Sequence, residues 1–432
     1  MGMSRSRGLV AVASTALLVL AALPADADGP PPAYVESDFE TANLDLHRDG
    51  GVSVPLAAPF AGKSLWLFGD TFVSDAAGAP AWGNWSFLPG TFAAIGNATA
   101  GSVPTVREVP TPGTGAISAT PPSPALGPAH FLPPFPPDIR LPGNTGACGA
   151  EGSDTYSANW ALGATRGPST AMTLYDNGTT PVAVTATDAA KLVFVSYFGV
   201  CVDPTLGWLD GGIRIQRFSM AAYDPATNTF KARWNVFDAN VPTPTGNVLP
   251  WQQALWHPQF SGGYMYTYAS SCTDFNDVFA ACTSGPVVVA RAPVAGIHDR
   301  TAYRYWKNVN PGNVDDPANW STNGADAVSV IPTTGGGPLQ LHVGNFAATG
   351  DGYLMMEQTS MGAHYRLYQS STPVGPWTFV RSAQAPNCNA TAGAGCYALM
   401  GHPEISTPSQ LLYSYADMAD NELETVALAG VP

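Results

Sequence analysis

The chain has 432 residues, a formal net charge of −14, only 12% charged residues, 45 glycines and 40 prolines. Its acidity argues against nucleic acid and anionic membrane surfaces as partners. Its wealth of turn formers and shortage of surface charge argue against a helical protein and for an all-β chain.

The N-terminus carries Arg5 and Arg7 ahead of an apolar run from Leu9 to Ala22, then Pro24 and the small-residue stretch Ala25-Asp26-Ala27. This is the pattern of a signal peptide over residues 1–27. The run is about 14 residues, short of the ~20 needed to span a bilayer. Residues 28–432 are therefore expected to form one secreted, extracellular domain with no membrane attachment. Its six cysteines are Cys148, Cys201, Cys272, Cys282, Cys388 and Cys396, and an even number in an exported chain points to disulfides. Cys272 with Cys282 and Cys388 with Cys396 would close short loops and leave Cys148 for Cys201, although other pairings are combinatorially open. No C-x-x-C, H-E-x-x-H or H-x-H arrangement occurs, so no zinc site and no cofactor is expected.

Strand-like segments follow in groups. Val52 to Leu56 precedes Ser64 to Phe68. Lys191 to Val200 precedes Gly212 to Phe218 and Phe230 to Phe237. Tyr264, Tyr266 and Tyr268 alternate ahead of Pro286 to Ala290 and Tyr303 to Trp306. Tyr353 to Met356 leads to Tyr365 to Tyr368 and Trp377 to Val380, and Gln410 to Tyr415 leads to Glu424 to Leu428. Each group contains one notably apolar strand: SLWLFGD, KLVFVSY, GYMYTYAS, GYLMMEQ and QLLYSYAD. Five such strands predict a five-bladed β-propeller, closed by a strand near Tyr34 to Phe39; a sandwich or a two-domain β architecture is the alternative. Between Gly101 and Asn144 lie twelve prolines, which cannot supply ladder hydrogen bonds in a central strand. Residues 101–145 are thus expected to be a Pro-rich insertion.

Inner strands of a propeller run in one direction, so their starts gather on one rim. In the first blade, HRDGGVSVPL and LWLFGDTF place Asp49 at the start of one strand beside Asp70 at the end of its antiparallel neighbour. Side chains so paired have β-carbons about 4.5 to 5.5 Å apart. Carboxyls that close push one pKa up and leave the other ionised, the division that an acid and a base require. Each also has a structural reading as a turn-capping aspartate. Glu357 in YLMMEQTS occupies a matching strand end, and Glu404 in GHPEIS is expected where the last inner strand begins; either would complete the site or serve as a salt-bridged structural residue.

His257, His342 and His402 are expected near inner strands, where they would bind a polyhydroxy ligand or serve as hydrogen-bonded structural groups. Trp256, with Trp82, Trp85, Trp251 and Trp320, offers rings for stacking on sugar faces or for packing. Other chemistries lack their motifs: Asp274 to Asp277 has no calcium-loop glycine or glutamate, no G-x-S-x-G occurs, and Gly335 to Gly337 lacks a phosphate-loop lysine.

In HRDGGVSVPL with SLWLFGDTFV, in YRYWKN, in STPVGPW, and in GHPEIS with LLYSYAD, the chain resembles secreted five-bladed propeller glycoside hydrolases. The nearest likeness is to the domain-of-unknown-function propellers that include endo-D-arabinanases; arabinanases, xylosidases and fructosidases are more distant. The resemblance implies a hydrolase of a furanose-containing polysaccharide such as arabinan, expected to be a monomer, with Asp49 and Asp70 as the first-blade acidic pair. It leaves Glu357 and Glu404 as candidates for the remaining acid. Acting carboxyls about 5 to 5.5 Å apart would retain anomeric configuration, and about 6.5 to 9.5 Å would invert it. A non-catalytic carbohydrate-binding or adhesive propeller is the other reading.

Overall fold

The structure, a computed structural model, describes residues 33–34, 46–74, 85–117, 129–133, 156–177, 179–202, 213–238, 256–270, 287–310, 313–331, 340–345, 352–359, 364–385, 388, 395–417 and 422–429. These residues form an all-β propeller. Two short strands come first, β1 (Ala33–Tyr34) and β2 (Leu46–Arg48). Next β3 (Val52–Pro55) and β4 (Lys63–Phe68) pair antiparallel, β5 (Thr71–Ser74) and β6 (Trp85–Leu88) leave to pair with β2, and β7 (Phe92–Asn97) and β8 (Val106–Glu108) complete the first sheet in the order β3-β4-β7-β8.

The second sheet runs β9-β12-β13-β14. It is built from β9 (Tyr156–Arg166), β12 (Val193–Val202), β13 (Ile213–Asp224) and β14 (Thr229–Asp238), with a side hairpin of β10 (Met172–Asp176) and β11 (Thr180–Val184) and a one-turn helix α1 (Ala186–Ala189) between. The third is β15 (Trp256–Ser261), β16 (Tyr264–Ser270), β17 (Val287–Pro293), β18 (Arg304–Trp306) and β19 (Trp320–Ser321) in sequence order. The fourth is β20 (Gln340–Gly344), β21 (Tyr353–Gln358), β22 (His364–Ser370) and β23 (Thr378–Gln384). The fifth is β24 (Cys396–Gly401), β25 (Gln410–Asp417) and β26 (Glu422–Ala429), with β1 added on the outer edge through Ala33↔Ala427 and Tyr34↔Val426.

The first strand of each sheet packs against those of its neighbours: β9 against β3 and β15, β15 against β20, and β20 against β24. The fifth sheet returns to the first, where His402 Nδ1 meets the Ser53 hydroxyl at 2.7 Å and the Trp66 ring lies 4.5 Å from that of His402. Apolar side chains fill the layers between sheets. Trp66, Phe68, Val106, Ile405 and Leu412 join the first and fifth, and Leu354, Met356, Tyr365, Leu399 and Tyr413 join the fourth and fifth. Second strands are covered on both faces, so β4 and β21 are buried along nearly their whole length. That is why their sequences read as continuous apolar runs rather than as alternation.

Two sequence readings change. The stretch from residue 101 does not leave the sheet at once, since Val106–Glu108 is its fourth strand, Phe131 and Leu132 are buried in the core, and Asn228 ties the loop down through the Pro110 and Gly115 carbonyls. Residues 134–155 lie outside the described residues. The inner strand of the second sheet, β9, was not foreseen, because YSANWALGATR carries mostly small residues on its buried positions. One of these is obligatory: a β-carbon at Gly163 would stand 2.4 Å from the His257 nitrogen, so only glycine lets β9 and β15 approach this closely. Cys388 is bonded to Cys396 as expected, and Cys201 is also in a disulfide; Cys148, Cys272 and Cys282 lie outside the described residues. Among the described residues no helix is long and apolar enough to cross a membrane.

Candidate active site

Asp49 and Asp70 sit where the β3–β4 ladder runs out. Beyond the last regular pair, Val52 with Leu67, the Gly69 amide donates to the Asp49 carbonyl, and the Asp49 amide donates to the Asp70 carbonyl at 2.9 Å. The register therefore brings the two aspartates together. Gly69 is what allows it, since a β-carbon there would lie 3.1 Å from the Asp49 carbonyl oxygen and 3.3 Å from its Cβ.

The carboxyls differ in their surroundings. Asp70 is 2% exposed; its Oδ1 accepts from the Gly90 amide at 2.6 Å and from the Trp160 indole at 2.8 Å, while its buried Oδ2 has no hydrogen-bond partner among the described residues. Burial raises its pKa to about 6, and the Gly90 and Trp160 donors hold it below where burial alone would put it. Asp49 keeps some exposure as a residue. Burial of its carboxyl, then the Asp70 charge, raises its pKa to about 7 against the opposing hydrogen bonds from the Tyr397 hydroxyl and the Gly50 amide. The pair thus titrates near neutrality, with the proton favouring Asp49.

Glu357, at the end of β21, is 2% exposed and has its own partners on β22, the Tyr368 hydroxyl at 3.3 Å and the Arg366 guanidinium at 3.8 Å. Burial raises its pKa to about 7 despite both. Because β21 runs antiparallel to β20 and pairs Gln358 with Gln340, its end lies at the start of an inner strand, as Asp70 does in the first sheet.

Glu404 corrects an expectation. It lies just past the end of β24, in a turn where the His402 carbonyl accepts from the Ile405 and Ser406 amides, and not at the strand's start. The strand begins at Cys396, earlier than the sequence suggested, because a bulge at Ala398 and Leu399 breaks its alternation. Glu404 therefore belongs to the opposite end of the inner strands from Asp49. Its carboxyl is enclosed next to Ser53, and burial raises its pKa to about 7. Ser53 is four residues along from Asp49, up to about 13 Å in extended chain.

The three histidines come together in the interior. His257 and His342 have ring centroids 4.0 Å apart, His257 Nε2 meets Met400 Sδ at 3.3 Å, and His402 is fixed by Ser53 on Nδ1 and by Ser414 on Nε2 at 2.8 Å. Burial depresses all three, His342 to about 3, and neighbouring ring charges add to the effect on His257 and His402. Among the described residues no three His, Cys, Asp or Glu side chains are grouped to hold a metal ion. Trp320 is buried in the third sheet, with Arg291 4.0 Å over its ring. Trp256 opens β15, and its side chain, like Trp82, Trp85 and Trp251, lies outside what is described.

Tyr397, Trp160 and Gly90 were not foreseen as partners of the aspartates. No signal pointed to Tyr397, because the sequence reading placed the start of this strand near Glu404 rather than at Cys396.

No curated protein matches the chain in sequence. Among solved structures it is similar to a GH43_1 enzyme from Xanthomonas citri, at 12% identity and TM-score 0.38 over 92% of this chain and 90% of that one. It is also similar to a family 117 glycoside hydrolase from the marine bacterium Zobellia galactanivorans, at 9% identity and TM-score 0.41 over 92% and 90%. Likeness at this level leaves those activities with those enzymes. Residues 207–426, just over half of the chain, match the family described as Domain of unknown function (DUF5005), and the protein belongs to that family.

Proposed function

We propose that this protein is a secreted glycoside hydrolase acting on a furanose-containing polysaccharide such as arabinan, its five sheets forming the blades of one closed propeller. The observation that carries the reading is the convergence of Asp49 and Asp70 at the strand ends of the first sheet, two enclosed carboxyls with pKa values raised to about 7 and 6. Carboxyls poised near neutrality are what glycosidic hydrolysis requires.

Asp49, the more exposed of the two, is the general base that takes a proton from water as the water oxygen bonds to the anomeric carbon. Asp70, held by Gly90 and Trp160, tunes Asp49 through its charge. The acid is Glu357, whose pKa of about 7 keeps it protonated in part at neutral pH. It gives its proton to the glycosidic oxygen as the bond from that oxygen to the anomeric carbon breaks. A base and an acid on different sheets favour the wider separation and hence inversion.

The test is release of reducing sugar from a panel of arabinans, including D-arabinan, by the protein lacking residues 1–27 and by folded Asp49→Asn and Asp70→Asn variants. Cleavage of one polymer by wild type, with Asp49→Asn inactive, is the expected result. The deep burial of Asp70 and Glu357 favours a second reading, a carbohydrate-binding propeller without chemistry; polymer binding with no cleavage would establish that one instead.

A further inference from the structure

Resting on Asp49 as the working carboxyl, we propose that Gln358 is a positioning residue: its side-chain amide, spanning from the fourth sheet to the fifth, holds the bulge of β24 that aims Tyr397 at Asp49. Tyr397 pairs with Ala416 and Met400 with Ser414, so Ala398 and Leu399 together face Tyr415 alone. Ala398 takes φ 56°, a left-handed conformation that the β-carbon of an alanine disfavours. Such a kink persists only where its surroundings hold it.

Gln358 supplies that hold. It is fully buried at the end of β21; its Nε2 donates to the Cys396 carbonyl at 2.7 Å, and its Oε1 accepts from the Leu399 amide at 3.2 Å. These two backbone groups flank Tyr397 and the extra residue. One glutamine thus serves both sides of the irregularity, in the manner of a missing strand partner. The bulge sets the phase of Cys396 and Tyr397 relative to Met400 and Gly401. Because side chains alternate along a strand, ironing it out by one residue turns Tyr397 to the opposite face. Tyr397 would then lose Asp49, to which its hydroxyl donates. Among the described residues, the titratable groups facing Asp49 are Asp70 from the end of β4 and Tyr397 from β24, so the state of Tyr397 is read directly in the titration of Asp49.

The experiment is a carbon-13 chemical-shift titration of the Asp49 carboxyl, which needs no activity, alongside the pH profile of kcat/KM. The variants are Tyr397→Phe, Gln358→Met and the double variant. The phenol favours charged Asp49, so its loss moves the Asp49 midpoint, and the ascending limb of the profile, to higher pH by about half a unit or more. Gln358→Met should do the same, and the double variant should match Tyr397→Phe alone. A wild-type midpoint in Gln358→Met, or a shift that adds to that of Tyr397→Phe, overturns the inference. Should Gln358→Met fail to fold by circular dichroism, Gln358→Glu, which keeps the acceptor for Leu399 and loses the donor to Cys396, is held to the same criterion. If the midpoints move together while Asp49→Asn still cleaves polymer, the positioning stands and Asp49's catalytic role falls.

Discussion

Two buried clusters of titratable side chains lie along the inner strands, and burial has opposite consequences in them. At the start of β3, enclosure raises Asp49 and Asp70 from the usual carboxyl range to about 7 and 6, into the range where a proton can be exchanged at neutral pH. In the interior the same enclosure drives His257, His342 and His402 downward, out of that range, and leaves them neutral. Desolvation penalises whichever form is charged. It therefore brings the carboxyls into the range of proton exchange at pH 7 and leaves the histidines as neutral, packed rings.

The sharpest way to break this contrast is to remove one member of each cluster. On the proposed hydrolase reading, Asp49→Asn should lower polymer cleavage by about 10²- to 10⁴-fold, the usual worth of a general base, and leave the urea midpoint near that of wild type. His402→Ala should do the reverse. It removes a ring packed on Trp66 and strands the Ser53 and Ser414 hydroxyls, for a loss of roughly 3 kcal/mol in chemical denaturation, with the pH profile of the residual activity in place.

Glu404 sharpens the comparison, as a carboxyl that is enclosed like the aspartates yet placed at the other strand end. Its folded pKa, about 7, exceeds the ordinary 4.5. Its contribution to stability is therefore present below about pH 4.5 and lost as the pH rises through about 7. Glu404→Gln should be close to wild type in stability at pH 4.5 and more stable at pH 8, by on the order of 3 kcal/mol, as thermal melts at the two pH values would read. The smallest effect is on wild type itself. With Asp49 as base and Glu357 as acid, both near 7, kcat/KM should trace a narrow bell centred close to neutrality; a plateau extending down to pH 5 would remove Asp49 from the role of base.

How much of this could be read beforehand varied with physical cause. The second strands were legible because burial on both faces writes an unbroken apolar run, as in SLWLF and YLMM. The Asp49–Asp70 juxtaposition was legible because antiparallel register is simple geometry. By contrast β9 was hidden by its small residues, which are needed where inner strands crowd the axis, as at Gly163. Glu404 was assigned to the wrong end of its strand because the Ala398 bulge disguised where β24 begins. The histidines were expected near inner strands as ligand-binding or structural groups; nothing in LWHPQF, LHVGNF or GHPEIS distinguishes a ring that meets ligand from one buried against Met400, another histidine or serine hydroxyls.

The pairing of β1 with β26 has a consequence for how the protein reaches this state. Ala33 and Tyr34 find Ala427 and Val426 across almost the full length of the chain, and contacts of such sequence separation form late and slowly. Until they form, β26 presents an open row of amides and carbonyls, the kind of edge that accepts a strand from any donor. During refolding, protein concentration then decides whether that donor is the molecule's own N-terminal segment or a neighbour's, and dilution is the condition that favours pairing within one chain.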